Sequence, residues 1–294
     1  MFSRIIVATD LSAASLAVAK CAGGLKALGA RRCLLLQCLS LQEAGSVSLA
    51  HDVGPLEDAL ARQKDILEQH GLRVEARVVP GFPKREINRI AVEENYSLIV
   101  IGSRSHSLIA DPFLGGVGSA VIHDMRRPVL LVRLGVTSNG TRDCAALARC
   151  DFAEHILFPT DFSENADHAF SYVERLVADG AKRVTFLHVQ DKARIEPHLK
   201  GRLNEFNEID RDRLEVLKER LERQGHAEVD FELRYGVPFV EITRLVRERG
   251  MHLVVMGSQG RGYTKEVLLG SVSHNVARHS EAAVLLVPAE RSSF

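Results

Sequence analysis

Gly257-Ser258-Gln259-Gly260 is followed, after nine intervening residues, by Gly270-Ser271, with Val272 and Ser273 next in line. Residues of these types at this spacing suit anion binding. Glycine lets backbone come closer to a ligand than any Cβ would allow. The N–H groups at a helix start, reinforced by the helix dipole, attract negative charge, and the hydroxyls of Ser271 and Ser273 add donors. Two glycine-bearing segments in one loop can hold a phosphate chain from both sides, with Arg261 and Lys265 inside the loop as cations that either reach it or stay solvated. A purely structural reading, glycines making a turn and a tight helix–strand contact, stands beside this one.

The elements needed to position that loop are legible around it. Leu253–Met256 is an apolar strand immediately before Gly257, and a helix is expected from about Ser271. Ile156–Thr160 is a further strand, closed by Asp161, with Ser163 as a candidate helix cap. In an open parallel sheet, ligands collect beyond the carboxyl ends of strands at the switch point. If these two strands flank that point, Asp161 and Gly257 face one crevice. There Asp161 either accepts hydrogen bonds from ribose hydroxyls or forms an Asx-turn. Val189 ends the strand Val184–Val189 and either walls a flat base or packs in the core. His188 and His274 lack partners at metal-ligand spacing, so structural or surface roles are expected. The helical series Leu203, Phe206, Leu214, Leu217 and Leu221, the strand Phe231–Tyr235, the helix Pro238–Arg249 and the strand Ala283–Val287 complete an alternation of strand and helix. Such alternation implies βαβ crossovers and a parallel sheet covered on both faces.

The whole arrangement occurs twice. Ile5–Ser12 returns as Ile156–Ser163, Gly81-Phe82-Pro83 as Gly236-Val237-Pro238, Leu98–Ser103 as Leu253–Ser258, and Val129–Val132 as Val284–Val287. The offset is 151 at Asp10 and Asp161 and 155 at every later landmark, so the second copy carries four extra residues between its first strand and its Gly-x-Pro turn. A repeat of this length is a duplicated domain. The division expected is 1–135, a linker over 136–153 containing Thr137-Ser138-Asn139-Gly140-Thr141, and 154–294. The first copy departs at the loop: Gly102-Ser103-Arg104-Ser105 precedes Gly115-Gly116, with Asp111-Pro112 between them. Ser105 stands for the second glycine, Gly116 for the hydroxyl residue, and a carboxylate enters the phosphate loop. One strong anion site and one weak or empty one are expected.

Composition narrows the class. With 38 basic and 38 acidic residues, no charge excess argues for nucleic acid or an anionic membrane surface. No apolar run approaches the ~18–20 residues that cross a bilayer, and the start Met1-Phe2-Ser3-Arg4 has no signal-peptide pattern. Five cysteines without a CxxC pair argue against a disulfide framework, so unpaired thiols in a reducing, cytoplasmic compartment are expected. The glycine signatures of dinucleotide folds, of Walker-type phosphate loops and of hydrolase nucleophile elbows are not found.

Pro159-Thr160-Asp161-Phe162-Ser163, Gly236-Val237-Pro238 and Met256-Gly257-Ser258-Gln259-Gly260-Arg261-Gly262, running to Leu269-Gly270-Ser271-Val272-Ser273, closely resemble the universal stress protein family. The resemblance spans nearly the whole chain in two tandem domains. It implies two α/β domains, each an open parallel five-stranded sheet of order 3-2-1-4-5, packed as an intramolecular pseudo-dimer through the fifth strands. Family members with the Gly-x-x-Gly…Gly-Ser/Thr pattern bind ATP. Carried over by position, Asp161 belongs to the ribose, Val189 and Met256 to the adenine pocket, and Gly257, Gly260, Gly270, Ser271 and Ser273 to the phosphates, with Pro159, Thr160, Ser258, Arg261 and Val272 as further cofactor-binding residues. The ligand expected is ATP or AMP, with or without magnesium, in a stress-response regulator that acts on a protein partner and leaves further homodimer pairing open. A slow ATPase and a nucleotide-free interaction scaffold are the alternatives.

Overall fold

The computed structural model describes residues 1–39, 54–104, 116–134, 150–196, 200–260 and 269–290. Ser105, Asp111, Pro112, Gly115, the Thr137–Thr141 stretch, Cys144, Arg261, Gly262 and Lys265 lie outside them. The chain divides into two compact units, Met1–Asp151 and Phe152–Phe294.

In the first unit the elements run β1 (Arg4–Thr9), α1 (Ala13–Lys20), α2 (Ala22–Ala27), β2 (Arg32–Leu39), α3 (Gly54–Gln69), β3 (Arg73–Pro80), α4 (Pro83–Glu93), β4 (Leu98–Arg104), α5 (Gly116–His123) and β5 (Val129–Leu134). The pairings β2–β3, β1–β2, β1–β4 and β4–β5 are all parallel, giving the order 3-2-1-4-5. The strands are apolar almost throughout because helices cover both faces of a parallel sheet: Ile5, Ile6, Val7, Leu34, Leu35, Leu36, Ile99 and Val100 are wholly buried.

The second unit repeats the plan with β6 (His155–Pro159), α6 (Glu164–Ala178), β7 (Arg183–Asp191), the short α7 (Lys192–Ile195), α8 (Leu203–Glu222), β8 (Glu228–Gly236), α9 (Pro238–Arg249), β9 (Leu253–Gly257), α10 (Ser271–His279) and β10 (Ala283–Val287). Its strands pair in parallel as β8–β7–β6–β9–β10. Phe158, Phe170 and Phe186 pack with ring centroids 5.6–5.9 Å apart, fastening α6 to β6 and β7. Ser163 caps α6 by accepting a hydrogen bond from the Ala166 N–H at 3.2 Å, as its residue type predicts.

One sequence expectation is corrected in the first unit. Cys21, at the α1–α2 junction, and Cys150 form a disulfide across a sequence separation of 129 residues, with Cα atoms 5.1 Å apart. Local spacing carries no sign of such a pair, because the chain between them folds a whole sheet before bringing them together. Cys33 and Cys38 remain free; burial pushes the Cys33 thiol up to about 12, and burial together with Glu86 pushes Cys38 up to about 11. Among the described residues no helix is long and apolar enough to cross a membrane.

Candidate functional site

Where β6 and β9 lie side by side, the chain leaves the sheet toward opposite neighbours, and a cavity of about 760 Å³ opens beyond their carboxyl ends. Its size falls within the range of small-molecule sites. β6 delivers Pro159, Thr160 and Asp161 to it; β7 delivers Val189; β9 delivers Met256 and Gly257. Gly260, Gly270, Ser271, Val272 and Ser273 complete the same rim. The sequence-selected residues thus converge on one cavity, with two exceptions. Ser258 is 2% exposed and does not line it, and Arg261 lies outside the described residues.

The local chemistry explains how these residues are held. Asp161 forms an Asx-turn, its Oδ1 accepting the Ser163 N–H at 3.1 Å, while Thr160 Oγ1 accepts the Phe162 N–H at 3.0 Å. This double turn forces Phe162 to φ 56°, a left-handed conformation uncommon for a non-glycine residue. Leu11 takes φ 58° at the same point of the first unit. The turn leaves Asp161 Oδ2 facing the loop: a Cβ placed on Gly260 would lie 2.6 Å from it. Gly257 has equally little room, since a Cβ there would meet Asn165 Nδ2 at 2.6 Å and the Asn165 carbonyl oxygen at 3.0 Å. Asn165 Nδ2 donates to the Gln259 carbonyl at 2.8 Å, pinning the loop to the first turn of α6.

Ser258 acts through its backbone. Its N–H donates to Val287 O at 2.8 Å, and its carbonyl accepts the Gly270 N–H at 2.7 Å, so the two glycine segments are clasped together. Gly270 is the cap residue of α10, and the first intrahelical bond runs from His274 N to Gly270 O at 2.9 Å. The N–H groups of Ser271, Val272 and Ser273 precede that bond and have no carbonyl within the helix to donate to. The Ser273 hydroxyl, expected among the anion donors, donates instead to the Gly257 carbonyl at 2.9 Å. It sets the spacing between α10 and β9.

The opposite wall was not foreseen. α8 presents Phe206, Ile209, Asp210 and Arg213, spaced as one helical face, and α7 adds Arg194 and Ile195. Phe206, Leu214 and Leu221 belong to one helical series in the sequence; Leu214 and Leu221 are fully buried, whereas Phe206 faces the cavity. His188 is buried and lines the cavity: Nδ1 lies 2.7 Å from the Thr160 carbonyl, and its ring centroid is 4.6 Å from that of Phe162, the two planes tilted by 38°. Among the described residues no group of His, Cys, Asp and Glu is arranged to hold a metal ion.

The first unit keeps Asp10 in the same turn, its Oδ1 accepting the Ser12 N–H at 3.0 Å. Burial raises its carboxyl, but the Ser12 hydroxyl and amide outweigh that, and the net position is below the usual carboxylate range. Thr9, in place of Thr160, donates to Gln63 Oε1 at 2.8 Å.

The model of the Universal stress protein family matches residues 1–133 and again 153–288. The chain is similar to universal stress protein MJ0577 of Methanocaldococcus jannaschii, with 33% identity over 156 residues, 47% of this chain and 96% of that protein. A universal stress protein of Mycolicibacterium smegmatis is 26% identical over 230 residues, 75% of this chain and 70% of its own. The crystal structure of a universal stress protein from Archaeoglobus fulgidus superposes with a TM-score of 0.76 at 24% identity, covering 98% of this chain and 99% of that one. At that identity the likeness concerns the fold.

Proposed function

The chain belongs to the universal stress protein family, and from that premise we propose that its second unit binds an adenine nucleotide, ATP or AMP, as a stress-response regulator. The observation carrying this reading is the convergence of Asp161, Val189, Met256 and both glycine segments on one cavity at the switch point of the sheet. The cradle fits a phosphate chain. Gly257 and Gly260 have no room for a Cβ, and the first-turn N–H groups of α10 offer donors to an anion. In this reading Asp161 holds the ribose, Val189 and Met256 flank the adenine, and Gly257, Gly260, Gly270, Ser271 and Val272 surround the phosphates. Ser258 and Ser273 brace the cradle through the bonds described above. Binding in the first unit is expected to be weak or missing, because Asp111 and Ser105 alter its loop.

Gly270→Asp separates binding from folding. A Cβ on Gly270 meets nothing closer than Gln259 Cα at 3.4 Å, an ordinary contact, and aspartate is a good helix cap. The fold should persist while a negative charge enters the phosphate region. Calorimetry with ATP and AMP should give one site per chain in the parent protein and none in Gly270→Asp, with an unchanged melting temperature. Two sites would revive the first unit. No binding in the parent would leave a scaffold acting through protein contacts.

A further inference from the structure

One carboxylate of the cavity has no task in that reading. Asp210, on the α8 wall, is 9% exposed. Its Oδ2 accepts a hydrogen bond from Gln190 Nε2 at 2.9 Å and lies 3.5 Å from His188 Nε2, while Oδ1 is 3.9 Å from Arg213 Nη1. All four residues line the cavity. Around them the wall is apolar, with Val189, Ile195, Phe206 and Ile209, a lining that receives a flat ring and fixes it by few polar groups. Burying a carboxylate in such a wall is costly unless something compensates for lost water. Gln190 and His188 supply part of that compensation, and a ligand donor can supply more.

We propose that Asp210 selects the base, by accepting a hydrogen bond from the exocyclic amine of a 6-aminopurine and turning away 6-oxopurines. The proposal rests on the nucleotide reading of the cavity and adds its specificity. A carboxylate only accepts hydrogen bonds. An amine at position six offers it protons, whereas a carbonyl there offers only lone pairs and leaves a buried acceptor facing another. Sites built around a substrate's donor reject analogues lacking it more strongly than apolar pockets reject a change of shape.

The test is calorimetry on the full chain with three triphosphates that differ at position six of the base: ATP, purine riboside triphosphate with hydrogen there, and inosine triphosphate with a carbonyl there and a proton on the neighbouring N1. The expected order of affinity is ATP, then purine riboside triphosphate, then inosine triphosphate. The ATP-to-inosine ratio should be ~10- to ~100-fold, the range of one charge-assisted hydrogen bond. In Asp210→Asn, whose amide can donate to a carbonyl, that ratio should fall to near one or invert. The ligand series in the parent protein tests the idea even where Asp210→Asn folds poorly. Equal affinities across the three, or a ratio unchanged in a folded Asp210→Asn, overturn the proposal while leaving the nucleotide reading intact. No binding of any of the three removes the nucleotide reading and this proposal with it.

Discussion

Two glycines in the cradle are tight for different reasons, and the difference is measurable. At Gly257 an added Cβ meets the Asn165 side chain and also its backbone carbonyl, 3.0 Å away. The backbone of α6 cannot move without disturbing the helix. Gly257→Ala should therefore destabilise the second unit by roughly 1–3 kcal/mol, the usual cost of overpacking, and weaken nucleotide binding as well. At Gly260 the obstructing atom is Asp161 Oδ2 at 2.6 Å, the end of a side chain that can rotate away. Gly260→Ala should leave the melting temperature within about a degree or two, since strain that relaxes costs well under 1 kcal/mol. It should still lower ATP affinity, because the carboxylate assigned to the ribose has been displaced. Parallel thermal melts and calorimetry decide the point. A Gly260→Ala protein that melts early, or binds ATP like the parent, contradicts the role given to Asp161.

Elements transmit such residue effects, and α6 is the clearest case. Its first turn is capped by Ser163 and carries Asn165, whose amide holds the Gln259 carbonyl. Ser163→Ala should cost about 1 kcal/mol, the common value for a lost N-cap, seen as a lower urea midpoint with unchanged slope. An unchanged midpoint would mean that solvent replaces the cap. The strands and helices around this turn were legible from sequence because continuous apolar runs and cap residues are local signals: α9 and β10 match their expected bounds, and β9 exceeds its own by one residue. The far wall of the cavity was not. The four-residue α7 is too short to show a period. In α8 the apolar period is real, but periodicity says only that a face avoids water. It does not say whether that face meets the core, as at Leu214, or a ligand cavity, as at Phe206. Asp210 was unreadable for the same reason, as an acidic residue in a charged helix resembles a solvated one until the fold buries it.

At the scale of the chain, the duplication was visible because both copies keep their landmarks, and the disulfide was hidden because pairing across 129 residues depends on the completed fold. Cys21 is wholly buried, and the bond ties the segment at Cys150 to the α1–α2 junction of the first unit. In the loop-closure picture a cross-link over a span of this order stabilises by up to ~5 kcal/mol, through the unfolded state. Reduction, or Cys150→Ser, should therefore lower the melting transition of the first unit. It should leave ATP affinity unchanged, since every residue lining the cavity belongs to the second unit. The raised thiols of Cys33 and Cys38 make both poor nucleophiles for exchange with the bond. Thiol titration in denaturant should count two fewer groups before reduction than after it, and scanning calorimetry with and without a phosphine reductant should shift one transition only. Equal thiol counts would mean that the pair stays reduced. A shift in both transitions would mean that the bond stabilises more than the unit that contains it.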